Sequence, residues 1–229
     1  MLPPSIAKTR NHVAKKYLRG SGIEIGALDS PVRVPDGASV RYVDRVTVSR
    51  LREYYPELGD AHFVEPDVID DGELLTTFAD ASLDFIVANH MLEHCENPIG
   101  TVRTHLARLR PGAVLFYSVP DKRYSFDIGR DITTYEHLLR DDQDQGASSR
   151  SRHYNEWATF AAGITDPEAA ERNARENERN SYSIHFHVWD QRALLQFLQD
   201  LTAKSALAFT IEHFEHNETE VIAVLRKPA

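Results

Sequence analysis

The sequence predicts a single α/β domain, a doubly wound seven-stranded sheet that is mostly parallel with an antiparallel last strand. Three observations carry that prediction. Compact apolar runs alternate with segments of helical periodicity from about residue 5 to residue 119, the pattern of successive βαβ units. Two later apolar runs, 209–211 and 221–225, flank His216-Asn217-Glu218 and read as a terminal hairpin. With 229 residues, 41% hydrophobic and 27% charged, the chain is long enough for one sizeable core and short for two.

In chain order, residues 5–18 set Ile6, Val13, Ala14 and Leu18 at helical spacing, with Gly20 where a helix C-cap would stand. Residues 22–27 form a short apolar strand, a Ser30-Pro31 turn follows, and Val40-Arg41-Tyr42-Val43 forms a second strand ending at Asp44. Residues 48–55 suit a helix. Residues 62–69 read as a third strand, which Pro66 assigns to a sheet edge because it has no N–H to donate. Leu83-Asp84-Phe85-Ile86-Val87-Ala88 is the fourth strand, 99–109 a helix, Arg110-Pro111-Gly112 a turn and 113–119 the fifth strand. The pattern then changes. Residues 121–187 are polar, with a charged helix-like run at 168–179, and read as an insertion within a single 1–229 domain. Residues 189–201 are an amphipathic helix.

Composition bounds the partners. A net charge of −9 and a pI near 5.6 argue against nucleic acid, whose phosphates need clustered, uncompensated Lys and Arg. No apolar run approaches the roughly 20 residues of a membrane span, and the N-terminus lacks a signal-peptide core, so no membrane partner is expected and the cytoplasm is the expected compartment. Cys95 is the sole cysteine, which excludes an internal disulfide. Six of the eleven histidines cluster as His90/His94, His185/His187 and His213/His216, and the last pair reads as surface.

In an open parallel sheet, ligands bind beyond the carboxyl ends of the strands, where the strand order reverses. Gly26 directly follows Glu24-Ile25, and a glycine there lets the backbone approach a ligand and adopt dihedrals other residues avoid. Asp44 ends the second strand, placed to accept hydrogen bonds from ribose hydroxyls, as dinucleotide-binding dehydrogenases also do. Glu24-Ile25-Gly26-Ala27-Leu28 is similar to motif I of class I S-adenosylmethionine-dependent methyltransferases, with Leu28 where that family usually has another glycine. Val68-Ile69-Asp70-Asp71 and Ala81-Ser82-Leu83-Asp84-Phe85-Ile86-Val87, with Leu92-Glu93-His94, resemble the acidic loop and "D-x-SFD-x-V…LEH" signature of the type 11 group. Leu109-Arg110-Pro111-Gly112-Ala113 resembles its "LKPGG" turn, so the resemblance spans about residues 20–120. It implies a Rossmann-like fold and S-adenosylmethionine as cofactor, contacted by Glu24, Gly26, Ala27, Asp44 and Asn89, with Asp70 or Asp71 facing the adenine amino group.

Methyl transfer to a hydroxyl needs a base or a metal, because an alcohol is a poor nucleophile until its proton is removed or its pKa lowered. His90 after the fourth strand is the better base, with Glu93 and Asp121 as further catalytic candidates. Asp121 would suit magnesium; His94, one helical turn from His90, stands at metal-ligand spacing, or else is a packing histidine common in that "LEH".

Val119-Pro120-Asp121-Lys122-Arg123-Tyr124, Tyr135-Glu136-His137-Leu138 and His185-Phe186-His187-Val188-Trp189 resemble a subgroup often found beside glycosyltransferases. That subgroup is similar to sugar O-methyltransferases such as the mycobacterial methylmannose polysaccharide methyltransferase. The resemblance implies a sugar or other small hydroxylated acceptor and a part in polysaccharide biosynthesis, with 121–187 as a lid over the acceptor. Arg123, Tyr124, His153, Tyr154, His185, His187 and Trp189 are the expected contacts, and Tyr135, Trp157 and Tyr182 offer further aromatic faces. Alternation turns His185 and His187 to one side, over the pocket, or leaves them as surface residues before a helix. Assembly stays open between monomer and homodimer. Rival readings are a small-molecule methyltransferase of secondary metabolism, a non-catalytic cofactor-binding module kept alive by Leu28, and a dehydrogenase, which the absent dinucleotide glycine pattern disfavours.

Overall fold

A proline opens the first helix, α1 (Pro4–Tyr17), where its missing N–H costs nothing, and Ile6, Arg10, Val13 and Ala14 form the buried stripe. The computed structural model describes residues 3–229, Glu57 by its backbone alone, so Met1 and Leu2 of the expected 1–229 domain lie outside the described residues. Gly20 follows α1 at φ 76°, where a Cβ would lie 2.3 Å from Asp84 Oδ2. Close approach to that carboxylate, which accepts from Ser21 N–H at 2.8 Å, therefore demands the glycine as much as any cap does.

The strands are β1 (Ser21–Ile25), β2 (Ser39–Asp44), β3 (Val68–Ile69), β4 (Leu83–Asn89), β5 (Leu109–Pro120), β6 (Thr210–Asn217) and β7 (Glu220–Arg226), in the order β3-β2-β1-β4-β5-β7-β6. Strands β1 to β5 pair in parallel, while β7 runs antiparallel to both β5 and β6, giving the doubly wound Rossmann-like sheet with its antiparallel last strand. Helix α2 (Val48–Tyr54) follows β2, α3 (Pro98–Arg108) joins β4 to β5, and α7 (Gln191–Lys204) leads into the terminal hairpin. Between β5 and α7 lie α4 (Tyr135–Asp144), α5 (Arg150–Glu156), continued by a π turn at Trp157–Ala161, and α6 (Pro167–Arg179).

Four sequence expectations are corrected. The strand expected at 62–69 shrinks to β3, because Pro66 cannot donate and Asp67 replaces the ladder with its own atoms: its N–H donates to Tyr42 O and its Oδ2 accepts from Tyr42 N–H. The turn expected at Arg110-Pro111-Gly112 is a bulge within β5, since Leu83 pairs with Leu109 and Phe85 with Val114. His90 and His94 do not share an α-helical turn directly after β4; His90 has φ 49° and a single 3-10 turn, Leu92–His94, precedes α3. Trp189 precedes α7 rather than opening it, because Asp190 caps the helix through Ala193 N–H.

The sheet buries side chains on both faces. Ile86 and Ala88 of β4 pack with α3, α4 and α7, while Phe85 and Val87 pack with α1 and the outer face of β5 and β7. Tyr154, Ala158, Ala170, Ala174, Ile184 and Phe186 make a separate small core within the insertion. Deleting the ring of fully buried Phe85 leaves a cavity at the sheet centre, so Phe85→Ala should cost about 3–5 kcal/mol in denaturant unfolding. A loss below 1 kcal/mol would contradict this packing.

Candidate active site

The strand order reverses between β1 and β4, and there the carboxyl ends of the strands open on a cleft of about 420 Å³. Gly26, Asp44, Asp71, Asn89 and His90 line it from the sheet side, and Tyr154, Tyr182, Ser183 and Phe186 form the wall that the insertion supplies. Gly26 has φ 64° with open space where a Cβ would be, so its dihedral, rather than crowding, calls for glycine. Leu28, also on the lining, has φ 48°, a left-handed conformation costing a non-glycine residue roughly 1–2 kcal/mol. Leucine thus stands here in a conformation that glycine adopts freely.

Glu24 lies buried beneath the cleft. Its Oε1 and Oε2 accept from Val32 N–H at 3.1 and 3.0 Å, and Oε1 accepts from Asn89 Nδ2 at 3.2 Å. Burial outweighs these bonds and pushes its pKa to about 8. Asn89 is fixed at both ends, because its Oδ1 accepts from Ser118 Oγ at 2.8 Å. Ala27 sits in the turn and does not line the cleft. Of the two acidic-loop candidates, Asp71 faces the cleft. Asp70 is turned inward, accepting from Thr77 N–H at 2.7 Å, Thr76 Oγ1 at 2.9 Å and Asp71 N–H at 2.8 Å. Asp44, on the lining, has its pKa raised by burial against the opposing pull of the Arg45 and Val46 amides.

The left-handed turn at the end of β4 carries the His90 ring to Glu220, Nε2 standing 2.8 Å from Oε2. Glu220 opens β7 and also accepts from Arg10 through both Nε (2.9 Å) and Nη2, and from Asn217 Nδ2 at 2.8 Å. Burial raises the Glu220 pKa, but these donors win and hold it at about 2. With Nε2 engaged, Nδ1 of His90, 3.9 Å from Glu93 Oε1, is the nitrogen left to accept a proton.

Other expected residues stand elsewhere. Asp121 does not face the cleft: both its oxygens are taken, Oδ1 by Arg123 Nε (2.9 Å) and N–H (3.0 Å), Oδ2 by Arg123 Nη2 (2.6 Å) and Gln191 N–H (3.1 Å). That saturation removes Asp121 as base and as magnesium ligand, and ties up Arg123 with it. Tyr124 is exposed, beside the His216 ring rather than in the cleft. Trp189 packs on Phe197 in the main core, and Tyr135 is buried with its hydroxyl donating to Asp200 O, so neither offers a face to a ligand. The alternation at 185–187 is reversed in effect, for Phe186 lines the cleft while His185 and His187 point into buried clusters.

His185 Nδ1 lies 2.6 Å from Asp127 and its Nε2 4.0 Å from Glu93 Oε1, while His94 Nδ1 lies 2.8 Å from Ile184 O. Glu93, His94 and His185 offer ligand atoms all within 4.8 Å of one another, and neither oxygen of buried Glu93 has a hydrogen-bond partner. Burial, followed by the neighbouring His185, pushes His94 down to about 3, which keeps it a neutral donor, and burial pushes the Glu93 carboxyl up. His187 and His153 instead meet His137 and Asp141. Sequence reasoning missed Arg10, Asp127 and Glu220, since a lone charge in a helix, turn or strand end carries no motif. It also missed Arg130, which donates to Asp127 (2.9 Å), His185 O (2.7 Å) and Phe186 O (3.0 Å).

A family model described as a methyltransferase domain matches residues 11–201. No curated protein matches. Among solved structures, a protein from Pyrococcus horikoshii aligns at 17% identity over 98% of this chain and 90% of its own, TM-score 0.52. A chain of the complex between the Haloferax volcanii Trm112 methyltransferase activator and a methyltransferase aligns at 12% identity over 98% and 89%, TM-score 0.52. A SAM-dependent methyltransferase from Methanosarcina mazei aligns at 16% identity over 99% and 98%, TM-score 0.49. The first two share the fold.

Two measurements test the site. Glu24 binds its proton more tightly folded than unfolded, about 8 against 4.5, so its stabilising contribution is complete below pH 4.5 and lost as pH rises through 8. The melting temperature of the unliganded protein should fall across that window more steeply than that of Glu24→Gln; parallel profiles would reject the assignment. Asp44→Ala should weaken S-adenosylhomocysteine binding roughly 10- to 100-fold in calorimetry, the worth of a charge-assisted hydrogen bond, and unchanged affinity would remove Asp44 from the site.

Proposed function

The chain belongs to the methyltransferase domain family, and on that premise we propose that its cleft binds S-adenosylmethionine and presents a sugar or oligosaccharide hydroxyl for O-methylation. The observation that carries the reading is His90, at the cleft mouth with one nitrogen anchored on buried Glu220 and the other available. The lining fits the cofactor: Asp44 suits a ribose diol, Asp71 an adenine amino group, and Asn89, oriented from beneath by Glu24, suits the amino acid part beyond the Gly26 turn. Bound there, the cofactor supplies an electrophilic methyl group to in-line attack by an oxygen.

The chain's own residues do the rest. His90 Nδ1 takes the hydroxyl proton as the oxygen attacks, and Glu220 stabilises the imidazolium that forms and fixes the ring's orientation. Tyr154, Tyr182 and Phe186 cover the cleft opposite the strand ends, excluding water and holding the acceptor in line. A sugar fits this wall because half-exposed Tyr182 is flanked by the hydroxyls of Ser181 and Ser183, an apolar face set among polar groups.

A metal-assisted form of the same reaction is favoured by Glu93, His94 and His185, whose two imidazoles and one carboxylate suit zinc or manganese more than magnesium. Under the first reading His90→Ala should lower kcat by about 10²- to 10⁴-fold while cofactor affinity changes less than tenfold. Glu220→Gln should fall between that variant and the native enzyme. A labelled-methyl assay over sugars, amines and thiols tests the acceptor, and turnover confined to amines or thiols would overturn the sugar assignment. Full activity in His90→Ala alongside loss in Glu93→Gln would move the chemistry to the metal-assisted form.

A further inference from the structure

Four side chains meet inside the insertion, away from the cleft. His137 and Asp141 share a face of α4 at i and i+4, His153 comes from α5 and His187 from the segment before α7. Asp141, His153 and His187 are buried and His137 nearly so. His137 Nε2 lies 3.0 Å from His153 Nε2 and 3.1 Å from Asp141 Oδ2, and His187 Nε2 lies 3.6 Å from the same Oδ2. All four ligand atoms fall within 4.8 Å of one another. A tetrahedron with zinc–ligand bonds of 2.0–2.1 Å has edges of about 3.4 Å, so these atoms already stand near its corners.

Hydrogen bonding alone does not account for the cluster. Wholly buried Asp141 Oδ2, 3.1 Å from His137 Nε2 and 3.6 Å from His187 Nε2, completes a well-formed hydrogen bond with neither. His187 Nε2 has only a 3.5 Å approach to Glu96 O. Two imidazole nitrogens facing each other at 3.0 Å need one proton between them, whereas around a cation both present lone pairs. Ser149 orients the carboxylate as the outer shell of a metal site does, its Oγ donating to Asp141 Oδ1 at 2.6 Å.

We propose that His137, Asp141, His153 and His187 form a closed, four-coordinate structural site for a zinc-class divalent ion. Four protein ligands leave no position open for substrate, so the ion cross-links rather than reacts. It ties α4 to α5 and to the 185–189 segment, and the ligands' chain neighbours Tyr154 and Phe186 both line the cleft, so the ion sets the position of the cleft wall. The site uses none of the groups assigned to methyl transfer, and its test does not depend on the acceptor.

The test is metal content and spectroscopy of the full chain. Purified protein loaded with zinc and dialysed should retain one equivalent that Asp141→Asn, with its fold checked by circular dichroism, loses or binds at least about tenfold more weakly. Cobalt loading should give the visible absorption of a four-coordinate ion in the native protein and in a Glu93→Gln control, but not in Asp141→Asn. No retained zinc and no cobalt band in the native protein would overturn the proposal. So would metal lost in Glu93→Gln but kept in Asp141→Asn, which would place the ion at the cleft. Should Asp141→Asn fail to fold, His187→Gln provides the same comparison.

Discussion

The Arg10–Glu220 ion pair holds together parts of the chain that the sequence sets 210 residues apart. Glu220 is wholly inaccessible, and Arg10, Asn217 and His90 together supply the donors that keep it ionised there. A buried carboxylate deprived of its cation typically costs about 3–5 kcal/mol, so the register of α1 on the sheet, the start of β7 and the orientation of His90 are coupled through one side chain.

The sheet sets the other terms. Parallel strands bring Gly26, Asp44, Asp71 and Asn89, far apart in sequence, to one edge, while the antiparallel β7 carries Glu220 to that edge from the end of the chain. Part of the chain's backbone strain lies at the same place. Leu28 and His90 both hold positive φ without being glycine, at the two loops that face the cleft. A conformation that would be costly in isolation persists because the neighbouring strands fix both ends of each loop.

The insertion stands on buried polar groups more than on its modest apolar core. Arg130 spans Asp127 and the carbonyls of His185 and Phe186, so the segment before α7 is held by charge-assisted bonds rather than by strand pairing. Five of the eleven histidines gather at buried carboxylates: His94 and His185 at Glu93, and His137, His153 and His187 at Asp141. Pairs adjacent in sequence separate in space, and their partners come from other elements.

Local periodicity and short motifs carry everything that was readable from the chain before folding. The strands, the doubly wound sheet and the loops carrying Gly26, Asp44 and Asn89 were legible, because apolar period and turn residues report burial along one segment at a time. Tertiary structure alone decided between Asp70 and Asp71, locked Asp121 under Arg123, buried Trp189, and joined His90 to Glu220 and His187 to Asp141. Each of those outcomes rests on which side chains from distant elements share a buried volume, and a charge or an imidazole looks alike in sequence whether it will be solvated or paired.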